Sequence, residues 1–194
     1  MRNLDWLIRS VDNAGRSAPY PPPHVLNRQS AMTAEIKDLQ SEMAARDGLL
    51  RVNNSNARET SMLTWRGFDS MISSASVATY IEPRAAFLLA FAENDDYDGA
   101  HFLWFRNRFD GFLYIDRVVV AEVHRRRGLG KLLYADVIRR ADQLGHNNVV
   151  CEVNVEPANP VSDKFHAALG FAEAGRTTID GGAKTVRYLF RRPQ

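Results

Sequence analysis

Arg125, Arg126, Arg127 and Lys131 surround two glycines, Gly128 and Gly130, in one short stretch of the chain. Cationic side chains beside backbone that lacks a Cβ suit a phosphate or pyrophosphate, because bare N–H groups can reach its oxygens while the cations offset its charge. Val118, Val119 and Val120 precede this stretch, and Leu129, Leu132 and Leu133 follow at helical spacing. The order is therefore strand, basic loop, helix N-terminus. Two familiar phosphate motifs do not fit. Leu132 stands where a Walker loop needs Ser or Thr, and Leu133 stands where a dinucleotide fingerprint needs its third glycine. A basic turn with glycines is by itself more often an ordinary helix start, so the anion needs a second signal to be identified.

Other residues could move protons. Asp116 and Glu152 are charges set in apolar runs that read as core strands, where an unpaired carboxylate is costly. Glu93 closes a third apolar run. Any of the three could accept a proton from an ammonium group. Strand alternation puts Asp116 on the same face as Val118 and Val120 and turns Arg117 to the opposite face, so that Arg117 reads as a poor partner for it. Glu152 shares its face with Asn154. His166 could donate a proton near neutral pH, although a histidine that is merely half-buried is the plainer reading. The acidic stretch 93–98 could attract a cation, but such runs are commonly solvated loops. Trp104, Phe105 and Phe109 either line a pocket or pack on a sheet. Phe165 reads equally as a cofactor contact or as core, and Cys151 as a small buried hydrophobe with no covalent role.

The second signal comes one strand after the basic loop. Asn159-Pro160 opens a helix that carries Ser162, Phe165 and His166 and ends in Leu169-Gly170-Phe171. Together the two motifs resemble those of the GNAT superfamily of N-acetyltransferases, and the chain looks like a RimI-like member. There, an Arg/Gln-x-x-Gly-x-Gly/Ala loop cradles the coenzyme A pyrophosphate, and an Asn-x-x-Ala/Ser helix ending in Gly-Phe follows. The resemblance spans residues 49–192. It implies an α/β fold with a central mixed, mostly antiparallel sheet, splayed between its fourth and fifth strands and flanked by helices. It implies acetyl-CoA as co-substrate, no metal, and direct attack by a primary amine in a ternary complex. By position, Val118 and Val120 would offer main-chain groups to the pantetheine arm. The N–H of Val119 or its neighbours would polarise the thioester carbonyl. Arg125, Arg126, Arg127, Gly128, Leu129, Gly130 and Lys131 would hold the pyrophosphate. Asn159 would bond the pantetheine, Ser162 would keep the helix close to it, and Phe165 would pack beside it. Asp116 or Glu152 would be the general base. His166 stands where many members carry the Tyr that protonates the departing thiolate, and would replace it.

These residues require a set of elements to place them. Residues 1–47 read as an extension, broken by Pro19, Pro21, Pro22 and Pro23. It closes with a helix over 29–46, whose Met32, Ile36, Leu39 and Met43 keep helical spacing and which Gly48 could cap. Residues 48–194 read as the acetyltransferase domain. It begins with a short strand at 49–52, a helix at 56–73, and strands at 77–81 and 86–92 joined through Pro83. An aromatic-rich segment follows at 102–109, then a strand at 112–120, a helix at 128–144 and a strand at 148–155. The last elements are a helix at 162–169, a strand from Phe171, and a turn at 180–182 into a strand at 185–190.

Composition sets the outer bounds. A chain of 194 residues, 45% hydrophobic and 25% charged, is sized for one core with an appendage. A net charge of +2 argues against a dedicated nucleic-acid binder, leaving a module built on residues 125–127 and 139–140 as a remote rival. A non-catalytic acyl-CoA sensor is the nearer one. A single cysteine excludes an intrachain disulfide and fits a cytoplasmic protein. No apolar run reaches the roughly 18 residues of a membrane span, and Asp5 and Arg9 interrupt the N-terminal apolar residues of a would-be signal peptide. The expected partners are a small-molecule or peptide amine, with no nucleic acid and no membrane. The extension could mediate a homodimer.

Overall fold

The computed structural model describes residues 34–156, 158–179 and 184–192. In chain order the strands are β1 (Ile36–Asp38), β2 (Val77–Ile81), β3 (Ala86–Ala92), β4 (Phe112–Val120), β5 (Asn148–Glu156), β6 (Ala172–Ile179) and β7 (Lys184–Arg191). The helices are α1 (Met43–Asn54), α2 (Ala57–Thr60), α3 (Trp65–Ser74), α4 (Ala100–Arg106), α5 (Leu129–Gln143) and α6 (Pro160–Ala168). The strands form one sheet in the order β1-β2-β3-β4-β5-β7-β6. All neighbours are antiparallel except β4 and β5.

That parallel pair is short. It runs from Phe112↔Asn148 to Ile115↔Cys151, after which the two strands part. The expected mixed sheet, splayed between its fourth and fifth strands, is thus the observed one. Each face of the sheet has its own core. On one face, Phe112, Tyr114, Val119, Val150 and Tyr188 pack with Leu49 of α1, Phe68 and Ile72 of α3, and Phe102 and Phe105 of α4. On the other, Leu113, Ile115, Cys151 and Val153 pack with Leu133, Tyr134 and Val137 of α5, and Phe165 and Leu169 of α6 join the edge. Each large apolar side chain so buried contributes about 1.5–3 kcal/mol of transfer free energy.

The strands at 77–81, 86–92 and 112–120 and the helices near 128–144 and 162–169 lie where the sequence puts them. Residues 34–54 differ. Ile36–Asp38, expected inside a helix over 29–46, is instead a strand pairing Ile36 with Ile81 at the sheet edge. Gln40 blocks helix continuation at this point. Its backbone N–H bonds the Asp38 carboxylate, and its side-chain amide bonds the carbonyls of Ile72 and Ala75. Gly48, expected as a helix cap, lies inside α1 with the Arg84 side chain against it. Leu49–Val52, expected as a strand, is helical, with Leu49 fully buried. The domain boundary expected at residue 48 falls within α1, and the compact unit carrying the sheet begins at Ala34.

The single helix expected over 56–73 is two. Ser61, at φ 77°, ends α2, and Thr64 starts α3 by accepting a hydrogen bond from the Gly67 N–H. Asn54 holds the connection by bonding both the N–H and the carbonyl of Leu63. The aromatic-rich segment is mostly the helix α4, and its rings are packed rather than free: Trp104 stacks on Tyr188 at 3.9 Å, and Phe105 is fully buried. The proline-rich break and the turn at 180–182 lie outside the described residues. Among those described, no helix is long and apolar enough to cross a membrane.

Candidate active site

A cleft of about 760 Å³ opens where β4 leaves β5. Its floor is Val118, Val119 and Val120. One wall is Arg125, Arg126, Gly128, Leu129, Gly130 and Lys131 at the start of α5, and another is Asn159, Ser162 and Phe165 of α6. Every residue expected to bind the cofactor is therefore in one place, apart from Arg127, which is exposed and outside the lining. The far wall, which the sequence did not announce, is Asn56 with Glu59 and Thr60 of α2. Arg125 reaches across to the Asn56 side-chain oxygen and lies 3.5 Å from the Val120 carbonyl.

Two features fit this cleft to a pyrophosphate. The first hydrogen bond of α5 runs from the Leu132 N–H to the Gly128 carbonyl, and no side chain caps the helix. The N–H groups just before Leu132 thus point out of the helix with no partner among the described residues, whereas α3 and α6 are capped by Thr64 and Asn159. Gly128 sits at φ 81° with nothing within 4 Å of where a Cβ would be, so the helix mouth is open. The floor supplies a third feature. Opposite β3 the register is regular from Leu89↔Arg117 to Ala86↔Val120, and the Ala121 N–H bonds the Ala85 carbonyl. Antiparallel alternation then directs the main chain of Val119 toward β3 and that of Val118 and Val120 toward the gap. Of the candidates for polarising a carbonyl in the cleft, Val119 is thus the one whose N–H is already committed.

The carboxylates lie on the other face. β4 shifts register against β3 between Leu89 and Ala90: Arg117 pairs with Leu89, Ile115 with Ala90, and Asp116 has no partner. Asp116 is the extra residue of a β-bulge, and a bulge resets the alternation of side chains. The face shared with Val118 and Val120, expected from simple parity, is therefore not where Asp116 lies. It turns instead to the face of Tyr114 and Val119. There its carboxylate accepts from the Tyr97 hydroxyl at 2.5 Å and from the Arg117 Nε at 2.6 Å, and Arg117 also bonds Asn53 of α1. Arg117, expected to be a poor partner, is its ion pair, with both side chains under 10% exposed.

Glu152 follows Cys151, just past the last pair of β4 and β5, and shares the Val150 face. Its carboxylate accepts from the Tyr114 hydroxyl at 2.9 Å. Burial, and next the charge of Asp116, push its pKa up to about 8. Two of the three carboxylates singled out in the sequence, Asp116 and Glu152, therefore lie near each other at the splay. Glu93 does not join them: it accepts from the Gly111 N–H at the opposite end of β4. In the acidic loop Asp95 binds the N–H groups of Ser76 and Ala92, a structural role, while Tyr97 supplies the contact to Asp116.

His166 is 6% exposed and is not part of the cleft lining. Its Nδ1 lies 2.8 Å from the Ser162 carbonyl, which can only accept, so Nδ1 carries the hydrogen. Nε2 then accepts from the Tyr134 hydroxyl at 2.8 Å. Burial lowers the imidazole pKa, which favours the neutral ring. In this arrangement the ring ties α6 to α5, with its Nδ1 hydrogen on the Ser162 carbonyl and its Nε2 on the Tyr134 hydroxyl. The Cys151 thiol, against the Tyr134 hydroxyl, is pushed up in pKa by burial, as befits an inert core thiol.

Comparison with known proteins agrees with this geometry. The family model described as Acetyltransferase (GNAT) family matches residues 57–171. No curated protein matches the chain. Among solved structures, the ribosomal-protein-S18-alanine N-acetyltransferase from Escherichia coli is 15% identical with a TM-score of 0.60, over 82% of this chain and 94% of that one. The yncA protein of Salmonella typhimurium, solved with its cofactor acetyl-CoA, is 15% identical with a TM-score of 0.61, over 83% and 94%. Ard1 from Thermoplasma volcanium is 12% identical with a TM-score of 0.63, over 83% and 98%. The strand–loop–helix cleft, the splayed sheet and the match over residues 57–171 together mean that this chain belongs to the GNAT family of acetyltransferases.

Proposed function

We propose that the chain transfers an acetyl group from acetyl-CoA to a primary amine of a small molecule or peptide, by direct attack in a ternary complex, with Glu152 as general base. The observation that carries this reading is the placement of a partly buried carboxylate at the point where β4 and β5 part, where the gap between the strands opens onto the phosphate-fitted cleft. The uncapped N-terminus of α5, with Arg125, Arg126 and Lys131, would hold the pyrophosphate, and exposed Arg127 would add long-range charge. Val118 and Val120 would pair their main chains with the pantetheine arm, as an unpartnered strand edge does. Asn159 already caps α6 through its side-chain oxygen, which leaves its amide hydrogens for the arm. Ser162 and Phe165 would flank it.

An acceptor arrives as an ammonium, and Glu152 takes a proton from it to expose the lone pair. The nitrogen then bonds to the thioester carbon, the carbonyl oxygen gains charge beside the main chain of β4, and the C–S bond breaks as the carbonyl re-forms. The nitrogen sheds its second proton to water, and the thiolate gains one. A thiol is acidic enough, about pKa 8.5 for cysteine, that its anion leaves readily and takes a proton from water. His166 then need only hold α6 in place. A thiol-release screen of amine acceptors with acetyl-CoA tests the reading. Release with at least one amine is expected. Tight acetyl-CoA binding with no release against any amine would instead support the acyl-CoA sensor.

A further inference from the structure

Asp116 and Glu152 are partly buried carboxylates on the same face of the sheet, close enough for the charge of one to bear on the other, and they differ in how they are held. Both carboxylate oxygens of Asp116 are engaged, one by Tyr97 and one by Arg117, and Arg117 is fixed in turn by Asn53. Glu152 has a single side-chain donor, Tyr114, and no ion-pair partner within salt-bridge distance among the described residues. The Arg117 guanidinium sits against Asp116, whereas Glu152 faces the like charge of Asp116 with no cation within salt-bridge distance among the described residues. We propose that Asp116 is a positioning residue rather than the base itself: the β4 bulge fixes its charge beside Glu152, and that charge sets how firmly Glu152 holds a proton. This rests on Glu152 being the base.

The surroundings of Glu152 support the assignment. From β4 it faces Tyr114 and Asp116, with Arg117 beyond Asp116. From β7 it faces Tyr188, its register partner, and Lys184 at longer range. Tyr188 bonds His101 of α4, and Tyr97 from the acidic loop feels both carboxylates. Among these groups Asp116 raises the Glu152 pKa by its charge, while Lys184 and the Tyr114 hydrogen bond lower it. The bulge is indispensable to this arrangement. Without the extra residue, alternation would turn Asp116 to the cofactor face, and β4 would lie between the two charges.

Carbon-13 NMR of the full chain, with labelled glutamate, reads the Glu152 carboxyl directly; its signal is the one lost in Glu152→Gln. Asp116→Asn keeps the shape and can still accept from Tyr97. The expected result is a Glu152 midpoint lower by about one pH unit or more, with Asp116→Glu restoring it. If Asp116→Asn does not fold, Asp116→Ser is read in the same way. An unmoved midpoint in the folded charge-removed variant overturns the proposal. The acid limb of the rate profile, measured on the same variants, separates the two claims. It should move down with the NMR midpoint while the KM for acetyl-CoA stays put. A moved midpoint with an unmoved rate limb would uphold the tuning and remove Glu152 as the base.

Discussion

The two sides of β4 solve different problems with different materials. On one side the cleft is made largely of backbone: a free strand edge at Val118 and Val120, an uncapped helix mouth at Gly128, and glycines that keep it open. On the other side the carboxylate cluster is made of side chains from separate parts of the chain, Tyr97, Tyr114, Asp116, Arg117 and Glu152, held by specific hydrogen bonds. A backbone site binds what any sequence with the right conformation binds, and suits a common co-substrate. A side-chain site depends on individual charges, and suits the step that chooses and activates an acceptor.

The largest effect that would break this division comes from Glu152→Gln. The amide can still accept from Tyr114, so the fold should survive, while turnover with the best acceptor should fall about 10²-fold or more. Acetyl-CoA affinity, measured by calorimetry, should hardly change. A matched loss of affinity would mean that the two sides are not separate. The wild-type rate should rise with pH toward a limb near the Glu152 value of about 8, since the base works only when deprotonated.

Gly128→Val asks the opposite question. A β-branched residue at φ 81° is strained by about 1–2 kcal/mol and narrows the helix mouth. Acetyl-CoA binding should weaken about tenfold, while the Glu152 carboxyl titration stays in place. A smaller effect concerns the tie between α5 and α6. Folding lowers the His166 pKa, so below its ordinary value of about 6.5 the unfolded chain binds a proton that the folded chain refuses. Stability should therefore fall as pH drops below about 6.5 and level off above it. Urea midpoints between pH 5 and 8 should show this loss in the wild type and a flatter acid side in His166→Gln.

The same contrast explains what the sequence disclosed. Arg125 to Lys131 and Asn159 to Phe171 are contiguous, and glycine, proline and charge mark backbone geometry locally, so the cleft was legible almost residue by residue. The carboxylates were legible as anomalies, charges in apolar strands, but not their faces. One extra residue in β4 reverses parity, and nothing in Tyr114 to Val118 marks which residue is extra. The partnership of Asp116 with Arg117 follows from that bulge and was hidden with it. In the N-terminal third, Ile36 and Leu39 fit helical spacing, yet the edge of β2 and the side-chain bonds of Gln40 outweigh it. The wall from Asn56 to Thr60 depends on a break at Ser61 that only tertiary packing sets. His166 occupies the expected place in its motif but, once buried against Tyr134, takes a different state.

The most direct test of the account is a crystal structure of the chain with acetyl-CoA. The account predicts the pyrophosphate on the N–H groups that open α5, the pantetheine paired with Val118 and Val120, and the thioester carbonyl at the splay, open to an amine coming from the Glu152 side. Pantetheine lying outside the cleft, or a thioester walled off from Glu152 by β4, would contradict it.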